Sequence, residues 1–159
     1  MQTKTKPYFI SVIIALSTGL LSAFLTSNSM DIYRDIITPP LSPPAFLFPI
    51  VWTILYVLMG IGAAYVYTDD FVSLPKRKSA LYTYALSLVV NFFWSIIFFN
   101  ARAFFFAFIW LLLLIFLIVR TIMKYYKINT TAAYLQLPYL AWSTFALYLN
   151  FAIWYLNRV

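Results

Sequence analysis

Pro39-Pro40-Leu41-Ser42-Pro43-Pro44-Ala45-Phe46-Leu47-Phe48-Pro49-Ile50-Val51-Trp52-Thr53-Ile54-Leu55-Tyr56 joins a loop stiffened by two proline pairs to a long apolar segment, and its reading decides the fold. Proline fixes φ and supplies no backbone N–H, so Pro39, Pro40, Pro43 and Pro44 exclude helix interior and central strand and predict an extended, rigid approach. A helix starts once Pro44 is passed. Pro49 then falls in its first turn or so, where a missing N–H costs little, and Trp52 and Tyr56 follow one helical turn apart on one face. Two aromatics with polar tips therefore sit just below a stiff rim.

The rest of the chain is equally apolar. Of 159 residues, 64% are hydrophobic and 9% charged, far from the roughly half apolar and quarter charged composition of soluble domains. The reading is an all-α integral membrane protein with one membrane domain over residues 1–159. A net charge of +7 invites a nucleic-acid partner, but the Lys and Arg residues lie between the apolar segments, so the partner is the lipid bilayer. The sequence has no Cys, no His and no Glu. That removes disulfides, thiolate or imidazole metal sites, histidine acid–base chemistry and the usual haem iron ligands.

Five apolar segments predict a five-helix bundle. A short basic leader, 1–6, precedes a first span over about 8–26, long enough to cross a core of ~30 Å at ~1.5 Å per residue and longer than an ordinary signal-peptide core. Ala15, Gly19 and Ala23 recur every four residues along it, a small-residue stripe suited to packing within the bundle or to dimerisation. Residues 27–44 form the longest polar connection, a candidate lid holding Asp31, Tyr33, Arg34 and Asp35. Arg34 either pairs locally with Asp31 or contacts an anion. The second span is about 45–67, followed by a loop with Asp69, Asp70, Pro75 and Lys76-Arg77-Lys78. The third, about 79–99, carries Asn91, whose amide is costly in lipid unless it faces the bundle interior, as interhelical glue or as a ligand contact. The fourth, about 103–123, has no polar side chain before Arg120, which suits the lipid side. The fifth, about 131–156, contains Pro138, which deprives the Tyr134 carbonyl of its partner and predicts a kink. Eight Lys and Arg fall on the side of the N-terminus and three on the other, so the N-terminus is expected in the cytoplasm, with the C-terminus and the lid outside.

Inward-capable groups recur at helical spacing on three spans: Trp52 and Tyr56, Asn91 and Trp94, then Trp142, Ala146 and Leu149. Trp52 lies about a third of the way down from the outer rim and Asn91 and Trp142 about midway, so all three can meet beneath the lid. Flat indole and phenol faces suit a large planar apolar ligand, with Asn91 and the indole N–H groups supplying a few oriented hydrogen bonds. An aromatic-rich core is the alternative.

On these residues the chain resembles the TspO/MBR family of tryptophan-rich sensory and translocator proteins. The matching stretches are Ser42-Pro43-Pro44 with Phe48-Pro49-Ile50-Val51-Trp52-Thr53-Ile54-Leu55-Tyr56 and Met59-Gly60; Asn91-Phe92-Phe93-Trp94-Ser95 with Phe98-Phe99; and Pro138-Tyr139-Leu140-Ala141-Trp142 with Ala146, Leu149-Asn150 and Trp154. The resemblance implies a five-helix bundle, often a homodimer, that binds porphyrins such as protoporphyrin IX and isoquinoline-type drugs beneath the first loop, in a bacterial cell membrane for a member of this type. It carries pocket positions over to Tyr33, Trp52, Asn91, Trp94, Trp142, Ala146 and Leu149. It also marks Trp52 and Trp142 as the tryptophans associated with light-dependent porphyrin breakdown. Ala152 and Tyr155 stand where the sterol-recognition motif of animal members needs other residues, so sterol binding is not expected; Leu149, Tyr155 and Arg158 form only a loose shifted match.

Three function classes remain: a porphyrin-binding receptor or sensor, an enzyme degrading porphyrin with light and oxygen, and a transporter. No intramembrane acid supplies a proton relay and no inverted repeat is evident, which disfavours the transporter. No acid–base or nucleophile set exists, so any chemistry must come from the excited ligand, oxygen and the oxidisable indoles of Trp52 and Trp142. No cofactor is required, porphyrin being the ligand, and no metal site is expected. Binding comes first.

Overall fold

The structure, a computed structural model, describes residues 5–29 and 31–158. Met1 to Lys4 of the basic leader, Met30 of the lid and Val159 lie outside the described residues. Helices run as α1 (Thr5–Thr26), α2 (Ile32–Asp35), α3 (Leu47–Thr68), α4 (Leu74–Ser95), α5 (Phe104–Tyr126), α6 (Thr130–Tyr134) and α7 (Leu137–Leu156). A one-turn 3₁₀ segment, Ser27–Ser29, follows α1, and α4 widens into a π-helical turn at Ile96–Asn100. Among the described residues there is no strand.

Among the described residues, four stretches are long and apolar enough to cross a membrane: Thr5–Ser29, Leu47–Thr68, Leu74–Asn100 and Phe104–Tyr126. With 20 residues, α7 spans ~30 Å, but Trp142, Ser143, Thr144, Tyr148 and Asn150 dilute its hydropathy. The chain is an all-helical membrane protein.

Several boundaries differ from the sequence reading, each for a local reason. Lys76, Arg77 and Lys78 lie in the first turn of α4 and not in a loop, because Pro75 near the helix start forfeits only an N–H that would be unbonded anyway. Arg77 Nη1 then donates to the Tyr67 carbonyl at 2.6 Å, capping the end of α3. The expected fifth span, 131–156, is interrupted. Asn129 caps α6, its side chain accepting from the Ala132 N–H at 3.0 Å, and the chain turns at Leu135 and Gln136 before Pro138 opens α7 in its first turn. Proline therefore starts a new helix here and does not kink a continuous one. The fourth span is not purely lipid-facing either. α5 buries Ala107, Leu111, Leu114, Ile118 and Tyr125 while Phe105, Phe106, Leu113 and Phe116 stay exposed, so apolar side chains serve two faces with different neighbours.

α1 is the outer member. Phe9, Ile13, Leu20 and Phe24 are exposed, whereas Ala15, Ser22 and Thr26 are buried. The small-residue stripe packs inside the bundle at Ala15 and Gly19, but Ala23 is exposed. Gly60 permits the closest approach: a Cβ there would lie 2.6 Å from Val12 Cα and 2.9 Å from Val12 N, so α1 and α3 meet backbone to backbone only because position 60 has no side chain.

The lid, the 101–103 connection and the end of α7 share one end of the bundle, joined by Arg102 Nη2 to Asp35 Oδ2 at 3.3 Å and by Asn157 to Ile37. The lysine-rich turns of α4 and α5 lie at the other, where Lys124 Nζ reaches Ser79 Oγ at 2.9 Å.

Candidate functional site

The lid is ordered by its own chemistry. Ser42 sends both its N–H (3.3 Å) and its Oγ–H (2.7 Å) to the Pro39 carbonyl, a turn that carries Leu41 into the left-handed region at φ 69. Beyond this turn, Ile37 exchanges hydrogen bonds with the Asn157 side chain, its N–H donating at 2.8 Å and its carbonyl accepting at 2.9 Å. Tyr148 donates from its hydroxyl to the Pro40 carbonyl at 3.0 Å. Ile32 is fully buried. Arg34 pairs with Asp31 at 3.7 Å with both side chains exposed, the local ion pair of the two sequence alternatives.

Beneath the lid is a cavity of about 190 Å³ lined by Tyr33, Thr38, Ser42, Pro43, Ala45, Phe48, Leu149 and Ile153. Two expected residues, Tyr33 and Leu149, line it directly. Tyr33 stacks on Phe48 with ring centroids 6.0 Å apart and meets Phe99 edge-on at 6.1 Å. Burial of its phenol pushes the pKa up to about 12, so Tyr33 is neutral and available as a donor at physiological pH.

The remaining expected residues stand behind this wall in two groups. Trp142 meets Phe48 edge-on at 5.8 Å, and Ala146, one turn along α7, is half-buried against the core. Deeper, Trp52 lies 5.6 Å from Tyr56 and 6.2 Å from Tyr139, ring to ring. Asn91 Nδ2 donates to the Tyr56 hydroxyl at 2.9 Å, both residues being buried. Trp94 stacks on Phe98 at 5.4 Å and reaches Tyr33 through Phe99. Ring contacts thus join Tyr33, Trp94 and Trp142 through Phe48 and Phe99, with Trp52 and Tyr56 in a second group, and Trp52, Tyr56, Asn91, Trp94, Trp142 and Ala146 do not line the cavity.

The indoles differ in how their N–H groups are used. Trp94 Nε1 donates to Asn150 Oδ1 at 3.1 Å, and Asn150 Nδ2 donates onward to the Phe104 carbonyl at 2.8 Å. Trp110 Nε1 donates to the Val90 carbonyl at 2.7 Å. Those of Trp52 and Trp142 have no hydrogen bond among the described residues. The indole donors of Trp52 and Trp142 are therefore uncommitted, while that of Trp94 is fixed.

Sequence reasoning missed Phe48, Phe99, Asn150 and Asn157 as contributors. Asn150 and Asn157 lie seven residues apart on the last helix, and two amides on one face of an apolar segment are a signal for interhelical or loop contacts. The π-helical turn that places Phe98 and Phe99 has no comparable signal, although such turns concentrate at functional sites. Among the described residues no group of acidic side chains converges as a metal site. What the arrangement offers is stacking surface and a few hydrogen-bond donors.

Comparison with known proteins agrees with this architecture. The chain is 34% identical over 148 residues to the tryptophan-rich protein TspO of Archaeoglobus fulgidus, covering 92% of this chain and 94% of that one. It is 33% identical over 126 residues to the translocator protein of Ovis aries, covering 79% and 75%. It is 32% identical over 125 residues to the tryptophan-rich sensory protein of Cereibacter sphaeroides, covering 79% and 76%. The TspO/MBR family profile matches residues 9–156, and the chain belongs to that family.

Proposed function

We propose that this membrane protein is a receptor or sensor for porphyrins of the protoporphyrin IX type and other flat apolar molecules, held between helices beneath the lid. The observation that carries this reading is the continuous run of ring contacts Phe99–Tyr33–Phe48–Trp142, of which Tyr33 and Phe48 line the cavity, backed by the uncommitted indole N–H groups of Trp52 and Trp142. Flat rings bind such a surface by offset stacking, and a few donors fix their orientation. The present cavity of about 190 Å³ is below the roughly 300–1,000 Å³ of drug-sized sites. A tetrapyrrole therefore enters only when the lid lifts and Tyr33 gives up its place.

In this reading the chain forms five spans, with α7 as the fifth, in a bacterial cell membrane. The N-terminus is cytoplasmic and the lid and C-terminus are outside, and two copies pair as a homodimer. The sterol motif is incomplete at Ala152 and Tyr155, so sterol is not among the proposed ligands.

Light- and oxygen-dependent porphyrin breakdown is a second reading, favoured by the free edges of Trp52 and Trp142, whose rings are oxidisable. An absorbance titration with protoporphyrin IX in detergent, first in darkness and then under light, tests both. Phe keeps most of the stacking face and resists oxidation. A receptor binds in the dark, with no bleaching beyond that of free porphyrin. An enzyme bleaches it, and Trp52→Phe and Trp142→Phe then retain dark affinity within about tenfold, ~1.4 kcal/mol, while bleaching stops. Variants that bleach as fast as the parent at equal occupancy reduce both tryptophans to pocket walls, and absence of saturable binding in the dark ends the receptor reading.

A further inference from the structure

Polar side chains on a membrane helix are costly unless they face one another or serve a function, and those of α4 follow a pattern that the lid pocket does not use. Ser79, Thr83, Ser87 and Asn91 recur every four residues and so form one stripe down the helix; the last three are buried. Tyr84 of α4 meets Tyr125 of α5 with rings 6.2 Å apart, and Tyr139 of α7 faces Ser87. Thr121 and Ser143, one turn from Tyr125 and Tyr139, extend the same buried surface. The stripe begins at the lysine-rich end, where Lys124 Nζ bonds Ser79 Oγ at 2.9 Å and Thr83 Oγ1 at 2.7 Å. It ends at the Asn91–Tyr56 pair, next to Trp52.

These hydroxyls do not satisfy one another. Thr83, Ser87 and Thr121 donate back to carbonyls of their own helices, Ser79 (3.0 Å), Tyr84 (2.7 Å) and Leu117 (2.9 Å); Thr83 Oγ1 also accepts from Lys124 Nζ, and each hydroxyl oxygen keeps acceptor capacity beyond these bonds. Among the described residues the hydroxyls of Tyr84, Tyr125 and Ser143 have no hydrogen-bond partner, although these residues are only 6%, 0% and 1% exposed. Ser87 and Tyr139 face each other closely, but the Tyr84 and Tyr125 hydroxyls are left unbonded beside this polar stripe, and buried polar groups without protein partners are what bound water satisfies, each molecule taking about two to four partners.

We propose that this stripe binds a file of water molecules running from the lysine-rich end to the Asn91–Tyr56 pair, which lies behind the wall of the cavity, independently of the lid. X-ray hydroxyl-radical labelling of the full chain in detergent, with heavy-oxygen water mixed in just before the pulse, reads exchangeable internal water at individual side chains. The expected result is heavy-oxygen label at Tyr84, Tyr125 and Tyr139 well above that at Phe98, which is equally buried among apolar rings. Thr83→Val with Ser87→Ala removes acceptors at little change in volume and abolishes the label at Tyr139. The chain has no cysteine, so an Asp35→Cys/Arg102→Cys pair joined by a flexible bis-maleimide cross-linker, which spans the reach of the arginine it replaces, locks the lid, and the label persists in that variant. A second measurement does not depend on labelling. Tyr84→Phe and Tyr125→Phe lower the melting temperature if the hydroxyls hold water, and raise it if they are dry and unpaired. Labels no higher than at Phe98, or raised melting temperatures, overturn the water file; labels lost on locking the lid overturn its route.

Discussion

The Asn91–Tyr56 hydrogen bond can be tested quantitatively, because both partners are buried, at 2% and 7% exposure, and the contact is a direct 2.9 Å bond. Asn91→Leu removes the donor and leaves an apolar side chain of similar size among apolar neighbours. A hydrogen bond between membrane helices contributes about 0.6 kcal/mol on average and up to about 1.7, and stranding a buried hydroxyl adds about 1 kcal/mol or more. Better packing of Leu offsets part of this, so a loss of about 1–2 kcal/mol is expected for Asn91→Leu, with a similar or smaller loss for Tyr56→Phe. Reversible unfolding in mixed micelles of the parent, both single variants and the double variant gives the coupling energy, expected at about 0.6–1.7 kcal/mol. Additivity within about 0.3 kcal/mol refutes the bond as a stabilising link. Porphyrin affinity on the same variants separates structure from recognition. Asn91 Oδ1 has no hydrogen bond among the described residues, so Asn91→Leu weakens dark binding about tenfold while Tyr56→Phe, which keeps that oxygen, changes it about threefold or less. Equal affinities for the two variants assign Asn91 to interhelical packing alone.

Three further outcomes follow from named contacts. Gly60→Ala places a methyl group against the Val12 backbone, which cannot rotate away, and is expected to cost about 1–3 kcal/mol, read as a lowered melting temperature with the α-helical circular dichroism retained below it. Tyr33, neutral when buried, has its pKa pushed from 10.0 up to about 12; the unfolded chain therefore loses this proton first, so lid stability is full below pH 10 and falls as pH rises towards 12. Tyrosinate absorbance of the parent minus that of Tyr33→Phe measures the step, and a midpoint near 10 refutes the burial. Reporter fusions at both ends test orientation: the excess of Lys and Arg on the N-terminal side predicts a cytoplasmic N-terminus, and a C-terminal reporter active only in the cytoplasm overturns it.

The apolar segments, the proline rim and the pairing of Trp52 with Tyr56 were legible because each depends on neighbours within a turn of sequence. The interruption at Leu135 and Gln136 was less so. Pro138 announces a break, but whether the chain kinks or restarts depends on the short helix α6 before it, which Asn129 caps nine residues earlier. The lid ties were not legible at all. Asn157 and Ile37 are 120 residues apart, and nothing local to either distinguishes a latch from a solvated amide. The candidate site divides the same way: helical spacing placed Trp142, Ala146 and Leu149 on one face, but only the packed fold reveals that Phe48 stands between Trp142 and Tyr33, and that Trp94 has its indole N–H fixed by Asn150.

That arrangement bears on how a closed lid admits a large ligand. The Asp35–Arg102 pair is more than half exposed on both sides and contributes about 0–1 kcal/mol. The hydrogen bonds of Asn157 and Tyr148 are at exposed positions, where water replaces them at little cost, about 1 kcal/mol each or less. Burial of Ile32 and Tyr33 is the larger contribution, about 1.5–3 kcal/mol for a fully buried aliphatic or aromatic side chain. Closure is thus governed by two apolar contacts, and the polar ties set its register. A flat apolar ligand that displaces Tyr33 from Phe48 restores stacking with its own ring faces, so the exchange is near balance in the apolar term and the free indole donors of Trp52 and Trp142 decide its direction. A polar ligand of equal size recovers no such contact and leaves Phe48 and Phe99 uncovered. Under the proposed function, selection for planar apolar molecules would thus arise from the contacts that keep the empty lid shut.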